Sequence, residues 1–218
     1  MSTQRFAELP VGEFLARLAS AEPVPGGGSA SALAAGFAAA LVAMVARLSL
    51  GRPRYAAYEA THQRALAYAT ELAPEFLDLA DRDAEAYARF AVALKLPRET
   101  PDEQAARTAA TRSAARHAAE VPLQVVRRCA GLAAEIEAMA GRSNLNASSD
   151  INVAALLVEA AGRGAAANVL VNLPAVGDEA FSGQATDEVM RLLGVIEDLA
   201  ARARERVGAG RLRDPEGE

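Results

Sequence analysis

The sequence of 218 residues has no tryptophan, one cysteine, two histidines, three isoleucines and four tyrosines. A single thiol, Cys129, excludes an internal disulfide framework and a cysteine-rich zinc site, and fits a reducing cytoplasm. His62 and His117 lie far apart and in no metal-ligand spacing, so no metal is expected. The shortage of β-branched and aromatic residues argues against a sandwich or barrel. Of 23 basic residues 22 are arginine, Lys95 being the exception, and the net charge is −5. That balance gives no net basic field for nucleic acid, so no nucleic-acid partner is expected. Charges at Arg5, Glu8 and Glu13 interrupt the first residues before an apolar run builds up, so a secretory leader is not expected. What the chain does have is alanine, 54 residues in all, with 51% hydrophobic residues overall. Such a chain buries enough apolar surface to fold, and its preference is helical. We expect an all-α protein, one domain over residues 1–218, built from long, partly kinked helices.

The segment from Gly26 to Ala46 carries no charge and is long enough to span a bilayer. Its makeup is mostly Ala and Gly with Ser29 and Ser31, which favours a central helix packed on all sides over a membrane segment. No membrane partner is expected. Further elements follow from periodicity and breakers. A short helix covers 11–20, and a Pro/Gly loop then leads to Ser29 as N-cap. The uncharged helix ends at Gly51-Arg52-Pro53. Helices over 54–96, bent near Pro74, and 102–140, interrupted near Pro122, come next. A polar loop over 141–149 precedes a helix capped by Ser149 or Asp150 and reaching Leu173. A last helix covers 179–207, and the tail 208–218 is expected to fray.

Four groups of residues carry possible chemistry. Gly26, Gly27 and Gly28 open a helix whose free N–H groups can meet an anion, or simply make a tight turn that lets helices approach. The stretch lacks the Gly-Lys-Ser/Thr ending of a phosphate loop. On a helical wheel Phe76, Ala80, Asp83, Tyr87, Phe90 and Leu94 share one side, while Asp78, Arg82, Glu85 and Arg89 lie opposite. Asp83 is thus the inward carboxylate. Desolvation raises the pKa of such a group toward that of a useful general acid or base, unless an arginine pairs with it structurally. Asn168 and Asn172, spaced i, i+4, put two amides on a seam of alanines. They can bind a heterocycle or knit helices. The loop from Ser143 to Asp150, with Asn144, reads as a polar site or as a capped helix entry. Together these groups suit a polar, planar, nitrogen-rich ligand.

These motifs occur in a recognisable order: Pro23-Val-Pro-Gly-Gly-Gly-Ser29, Asp81-Arg-Asp-Ala-Glu-Ala-Tyr87, Leu96-Pro97, Thr100-Pro101, Val121-Pro-Leu123, Asn144 with Ser149-Asp150, and Gly164 to Leu173. In this order they resemble the cyclodeaminase domain of formiminotransferase-cyclodeaminase and the stand-alone methenyltetrahydrofolate cyclohydrolases. The resemblance covers about Phe14 to Phe181. It implies an all-α homodimer with a folate cleft near the dimer interface and Asp83 as the catalytic carboxylate. It also implies that Asn144, Asn168 and Asn172 position the pterin or the reacting nitrogens. The Gly26–Gly28 backbone, or Arg52 and Arg54, would meet the anionic tail, with Ser29 and Asp150 also among the binding residues. The implied reaction is cyclodeamination of formiminotetrahydrofolate; hydrolysis of methenyltetrahydrofolate at the same site, and ligand binding without turnover, are the alternatives. Neither reaction needs a metal or redox cofactor; a tetrahydrofolate is the substrate. The chain departs from the pattern where Pro53 splits Arg52 from Arg54 and where Ser143 replaces a glycine.

Overall fold

Alanine sets the geometry of this fold: among the described residues half of the buried apolar ones, 25 of 50, are Ala. A methyl side chain lets helix axes approach and costs no side-chain entropy on burial. The larger side chains fill what remains, and all three isoleucines, Ile136, Ile151 and Ile196, are fully buried. The computed structural model describes residues 5–215. It contains helices α1 (Val11–Leu18), α2 (Gly27–Ser49), α3 (Glu59–Ala93), α4 (Pro101–Met139), α5 (Ser148–Asn172) and α6 (Glu179–Gly208), with no strand among the described residues. The architecture is all-α, as the composition implied. Helix α2 lies between α3 and α5, and α4 packs against all three and against α6.

Cross-helix bonds fix the directions. Ser29 at the start of α2 meets Asp83 late in α3. The pairs Arg128–Glu75 and Arg64–Glu135 run α3 against α4. Asn172 at the end of α5 reaches Ala118 in α4, and Arg204 near the end of α6 reaches Glu159 in α5. The bundle therefore has two ends. The starts of α2, α4 and α6 gather with the ends of α3 and α5 at one, and the links 50–58 and 140–147 gather at the other.

Several boundaries differ from expectation. Helix α4 runs through Pro122 without the expected interruption, and α3 is continuous through Pro74, where a bend and not a break was expected. A proline inside a helix costs about 3 kcal/mol, and packing along 35 and 39 residues outweighs it. The expected start of the long helix near 54 is a 3-10 turn, Pro53–Tyr58, so α3 begins at Glu59. Helix α4 starts at Pro101, fixed by a capping box between Thr100 and Glu103. Ser29 is not an N-cap, because α2 starts two residues earlier with Gly26 in that position. Neither Ser149 nor Asp150 caps α5; its N-cap is Ala147, and Asn144 caps the 3-10 turn before it. The fraying expected of 208–218 stops short of Arg213. Its N–H donates to the Gly141 carbonyl, its own carbonyl accepts from the Tyr58 hydroxyl, and its guanidinium pairs with Glu137. Residues 216–218 lie outside the described part.

Helix α2 is not packed on all sides. Its inner face is closed, but Phe37 is 55% exposed, and Met44 and Leu48 lie on the same outer side. Helix α5 shows Val153 and Leu156 likewise. By length and composition two helical stretches, Gly27–Ser49 and Leu145–Ala175, suffice to cross a membrane; 61% and 44% of their apolar windows are buried inside the protein.

Candidate active site

At the glycine run α2 and α3 lie in close contact. A Cβ on Gly28 would stand 2.5 Å from Asp83 Cγ and Oδ2. Only hydrogen fits there, so Gly28 lets the carboxylate lie against the first turn of α2, where backbone N–H groups lack helical partners. Ser29, fully buried in that turn, has its Oγ 3.1 Å from Asp83 Oδ2 and 3.0 Å from the Ala80 carbonyl. A Cβ on Gly27 would lie 3.6 Å from Asn168 Nδ2. The fold thus brings Gly27, Gly28, Ser29, Asp83 and Asn168 together at one end of the bundle, with Gly26 as the N-cap beside them.

Asp83 is half-buried, and among the described residues no cation lies within ion-pair distance of it. Burial pushes its carboxyl above the ordinary range, opposed by the Ser29 hydroxyl and backbone N–H, which favour the ionised form. The structural alternative, an arginine-paired carboxylate, does not describe it. Asn168 donates one amide hydrogen to the Gly164 carbonyl at 2.8 Å. Its second amide hydrogen and its side-chain oxygen Oδ1 have no protein partner among the described residues.

The wheel placed Tyr87 and Leu94 with Asp83 on an inward side, yet they are 45% and 44% exposed. Beyond Asp83 the core positions of α3 pass to Ala86 and Ala93. Asp83, Tyr87 and Leu94 instead line an open side of the helix. An apolar stripe left partly open looks, on a wheel, the same as a core.

Asn172 has another job. Both its amide hydrogens are used, on the Ala118 carbonyl at 3.0 Å and the Asn168 carbonyl at 2.8 Å, so it ties α5 to α4. Asn144, Asp150, Arg52 and Arg54 do not join Asp83 within one chain. They sit at the other end of α2, whose 23 residues span about 34 Å. Asn144 is buried and bonded to Tyr55, Asn146 and the Leu48 carbonyl, and its N–H donates to Ser49 Oγ. Arg52 and Arg54 are exposed, and Asp150 stands in the first turn of α5. The sequence reading passed over Arg98, Arg107 and Arg112, which surround a cavity at the end of the Asp83 side of α3. A signal was available for Arg107: its helical neighbour Glu103 already belongs to a Thr-x-x-Glu capping box and is not free to pair with it. Among the described residues no cluster of His, Cys, Asp and Glu is arranged to hold a metal ion.

A half-buried carboxylate without a cation, set against a glycine-opened helix start in an all-α bundle, is chemically equipped to exchange a proton, and the glycine run lacks the Gly-Lys-Ser/Thr ending of a phosphate loop. The chain belongs to the formiminotransferase-cyclodeaminase family, whose model matches residues 10–191. It is 37% identical over 194 residues to a methenyltetrahydrofolate cyclohydrolase of Methylorubrum extorquens, covering 89% of this chain and 93% of that protein. It is 33% identical over 206 residues to the formimidoyltransferase-cyclodeaminase of Sus scrofa, covering 94% of this chain and 38% of that longer protein. The crystal structure of a formiminotetrahydrofolate cyclodeaminase from Thermotoga maritima superposes with a TM-score of 0.84 at 30% identity, over 93% of this chain and 98% of that one.

Proposed function

We propose that this protein is an enzyme of folate one-carbon chemistry, a formiminotetrahydrofolate cyclodeaminase in which Asp83 moves the protons. The observation that carries the reading is the Asp83 carboxylate, desolvated, without a cation and bonded to Ser29. In the reaction N10 attacks the protonated amidine carbon on N5, forming the C–N10 bond. Asp83 takes the proton that N10 loses and delivers it to the amino group of the tetrahedral intermediate. The carbon–nitrogen bond then breaks, ammonia leaves, and the remaining electrons close methenyltetrahydrofolate with its positive charge. Asp83 ends as it began. A carboxyl with a raised pKa suits both halves of this transfer better than an ordinary one.

Ser29 serves both protonation states. When Asp83 is ionised the hydroxyl donates to Oδ2; when Asp83 is protonated, the acid donates to Ser29 Oγ and the hydroxyl hydrogen turns to the Ala80 carbonyl. Both acceptors stand within bonding distance. The carboxylate is held in place throughout without a permanent ion pair. Asn168 offers its open amide groups to the pterin.

A second reading, methenyltetrahydrofolate cyclohydrolase, is favoured by the similarity to the Methylorubrum extorquens protein along nearly its whole length. There water adds to the same carbon and Asp83 accepts its proton; the carbon–N5 bond then breaks as N5 takes that proton, the hydroxyl proton passes to solvent, and a formyl group stays on N10. Ammonia release from formiminotetrahydrofolate, assayed beside hydrolysis of the methenyl compound, decides between the two; turnover of neither would refute the enzymatic reading. The reading further takes the protein as a cytoplasmic homodimer bound to neither membrane nor nucleic acid, without a cofactor beyond its folate substrate. The outer sides of α2 and α5, with Phe37, Met44, Val153 and Leu156, supply an apolar surface for a second copy. Sedimentation of the pure protein checks the dimer.

A further inference from the structure

The first turn of α2 has no side chain on two of its flanks, and a different helix uses each. Gly28 faces Asp83 on α3 and Gly27 faces Asn168 on α5, as two residues about 100° apart around a helix can. The separation of the carboxylate from the amide is therefore set by how closely α3 and α5 each approach this one turn. On the α3 side Gly28 and Ser29 define the approach.

On the α5 side the approach is defined one turn deeper. Ser31 stands one turn beyond Gly27 on α2, and Gly164 one turn before Asn168 on α5. A Cβ on Gly164 would overlap the Ser31 hydroxyl oxygen and stand 3.4 Å from Ser31 Cβ. The two contacts are reciprocal. The Ser31 hydroxyl donates back along α2 to the Gly27 carbonyl at 2.7 Å and rests on Gly164 of the other helix. The Asn168 amide donates back along α5 to the Gly164 carbonyl at 2.8 Å and rests on Gly27. A polar side chain bonded to the carbonyl one turn earlier lies flat along its own helix, and a glycine opposite lets the second helix close over it. Ser31 is buried, whereas Gly27 is exposed and Asn168 half-buried. The inner half of this clasp thus holds the outer half, which opens on the site.

We infer that Ser31 and Gly164 are positioning residues: their contact fixes the distance of the Asn168 amide from the first turn of α2, and so from Asp83. The inference rests on the folate reading above, in which Asn168 meets the pterin. Both residues act through Asn168, whose second amide hydrogen and Oδ1 are open among the described residues.

The test is a pair of double-variant cycles built on Gly164→Ala, one with Ser31→Ala and one with Asn168→Ala. They are read as KM and kcat for the folate reaction that the wild type performs, with denaturant unfolding of every variant alongside. The methyl on Gly164 meets a buried hydroxyl already bonded to Gly27, so α5 moves outward and takes Asn168 with it. A hydrogen bond to a non-reacting part of the substrate is lost, so KM should rise by about three- to tenfold with kcat little changed. Without the Ser31 hydroxyl the methyl finds ordinary contact with the remaining Cβ. In the Ser31→Ala background Gly164→Ala should therefore add less than about twofold to KM. In the Asn168→Ala background, where KM is already raised, it should again add less than about twofold, because the group it acts through is gone. An unmoved KM in Gly164→Ala overturns the inference, whether or not stability falls. So does a rise that persists beside Ser31→Ala, or one that adds in full to that of Asn168→Ala. Should Gly164→Ala not fold, Ser31→Cys, whose larger sulfur widens the same contact, carries the same expectation and the same refutation. A wild type that neither turns over nor binds tetrahydrofolates in calorimetry removes the folate reading and this inference with it. Turnover by the wild type with KM unmoved in the variants removes the inference alone.

Discussion

The two ends of the bundle use the same residue types to opposite purposes. At the Asn144 end most polar groups meet another: Asn144 with Ser49 and Tyr55, His62 Nε2 with the Arg142 carbonyl, Arg213 with Tyr58 and Glu137, while His62 Nδ1 and Arg213 Nε are buried without a partner among the described residues. At the Asp83 end the polar groups are half satisfied, with one serine on the carboxylate and one helical bond on Asn168. A buried polar group that the fold completes stabilises the fold. One that the fold leaves incomplete is a cost to stability that a ligand can offset. The contrast predicts that substitutions at the two ends separate activity from stability.

The largest effect belongs to Asp83→Asn. Turnover should fall by about 10²–10⁴-fold, the span of a lost general acid/base. Stability should move the other way. The folded carboxyl binds its proton more tightly than the unfolded one, whose ordinary value is 3.8. From pH 3.8 up to the raised folded value the native state therefore holds the extra proton, and stability falls as pH rises. Asparagine removes that dependence. Thermal melts should show no gain for the variant below pH 3.8 and a gain that grows with pH through the window. A variant less stable than wild type at neutral pH would place Asp83 with the structural polar groups of the other end.

Gly28→Ala comes next. Its methyl must push the Asp83 carboxylate away from the start of α2. A displacement on the order of 1 Å costs about 10²-fold in rate. Circular dichroism should show the helices intact, and single-turnover kinetics should locate the loss in chemistry. Turnover equal to the wild type would mean that the close approach of α2 and α3 serves packing alone.

Asn144→Ala reverses the pattern. It removes the acceptor of Tyr55 and Asn146 and the donor to Leu48 in a buried place, a loss of about 1–3 kcal/mol in denaturant unfolding. Its effect on kcat should be small beside that of Gly28→Ala. A large loss of kcat at unchanged stability would return Asn144 to the site, and would require the far end of a second copy to reach Asp83.

How much of this was legible follows from what each signal encodes. The helices were readable because alanine excess and breakers such as Gly51 and Gly177 act locally. Asp83 was readable because inward carboxylates are rare in an apolar periodicity. Asn172 carried the same signal as Asp83 and Asn168, inward and polar, yet one of its partners lies on another helix, at Ala118, and Asn144, readable only as part of a polar loop, is completed by Tyr55 and the Leu48 carbonyl. Whether a buried amide is satisfied depends on contacts that no spacing along one helix reveals. Ser29 was misplaced for a related reason: its residue type suits a cap, but Ala80 and Asp83 lie nearer to its hydroxyl than any need of its own helix.

Ser29→Ala is the subtlest of these changes and the most specific. Losing one hydrogen bond to the carboxylate costs about 1–2 kcal/mol, so turnover at its optimum should drop several-fold, far less than for Asp83→Asn. The diagnostic is the pH profile. The Ser29 hydroxyl favours the ionised form of Asp83, so without it desolvation acts less opposed and the carboxyl rises further. Because the first proton moves onto the ionised group, the acid limb of kcat should shift to higher pH. Ser29→Thr, which keeps the hydroxyl, should shift it back. A structural role confined to the Ala80 carbonyl would lower stability and leave that limb in place. A moved limb therefore ties Ser29 to the reacting carboxylate, and an unmoved one separates the glycine-opened turn of α2 from the chemistry beside it.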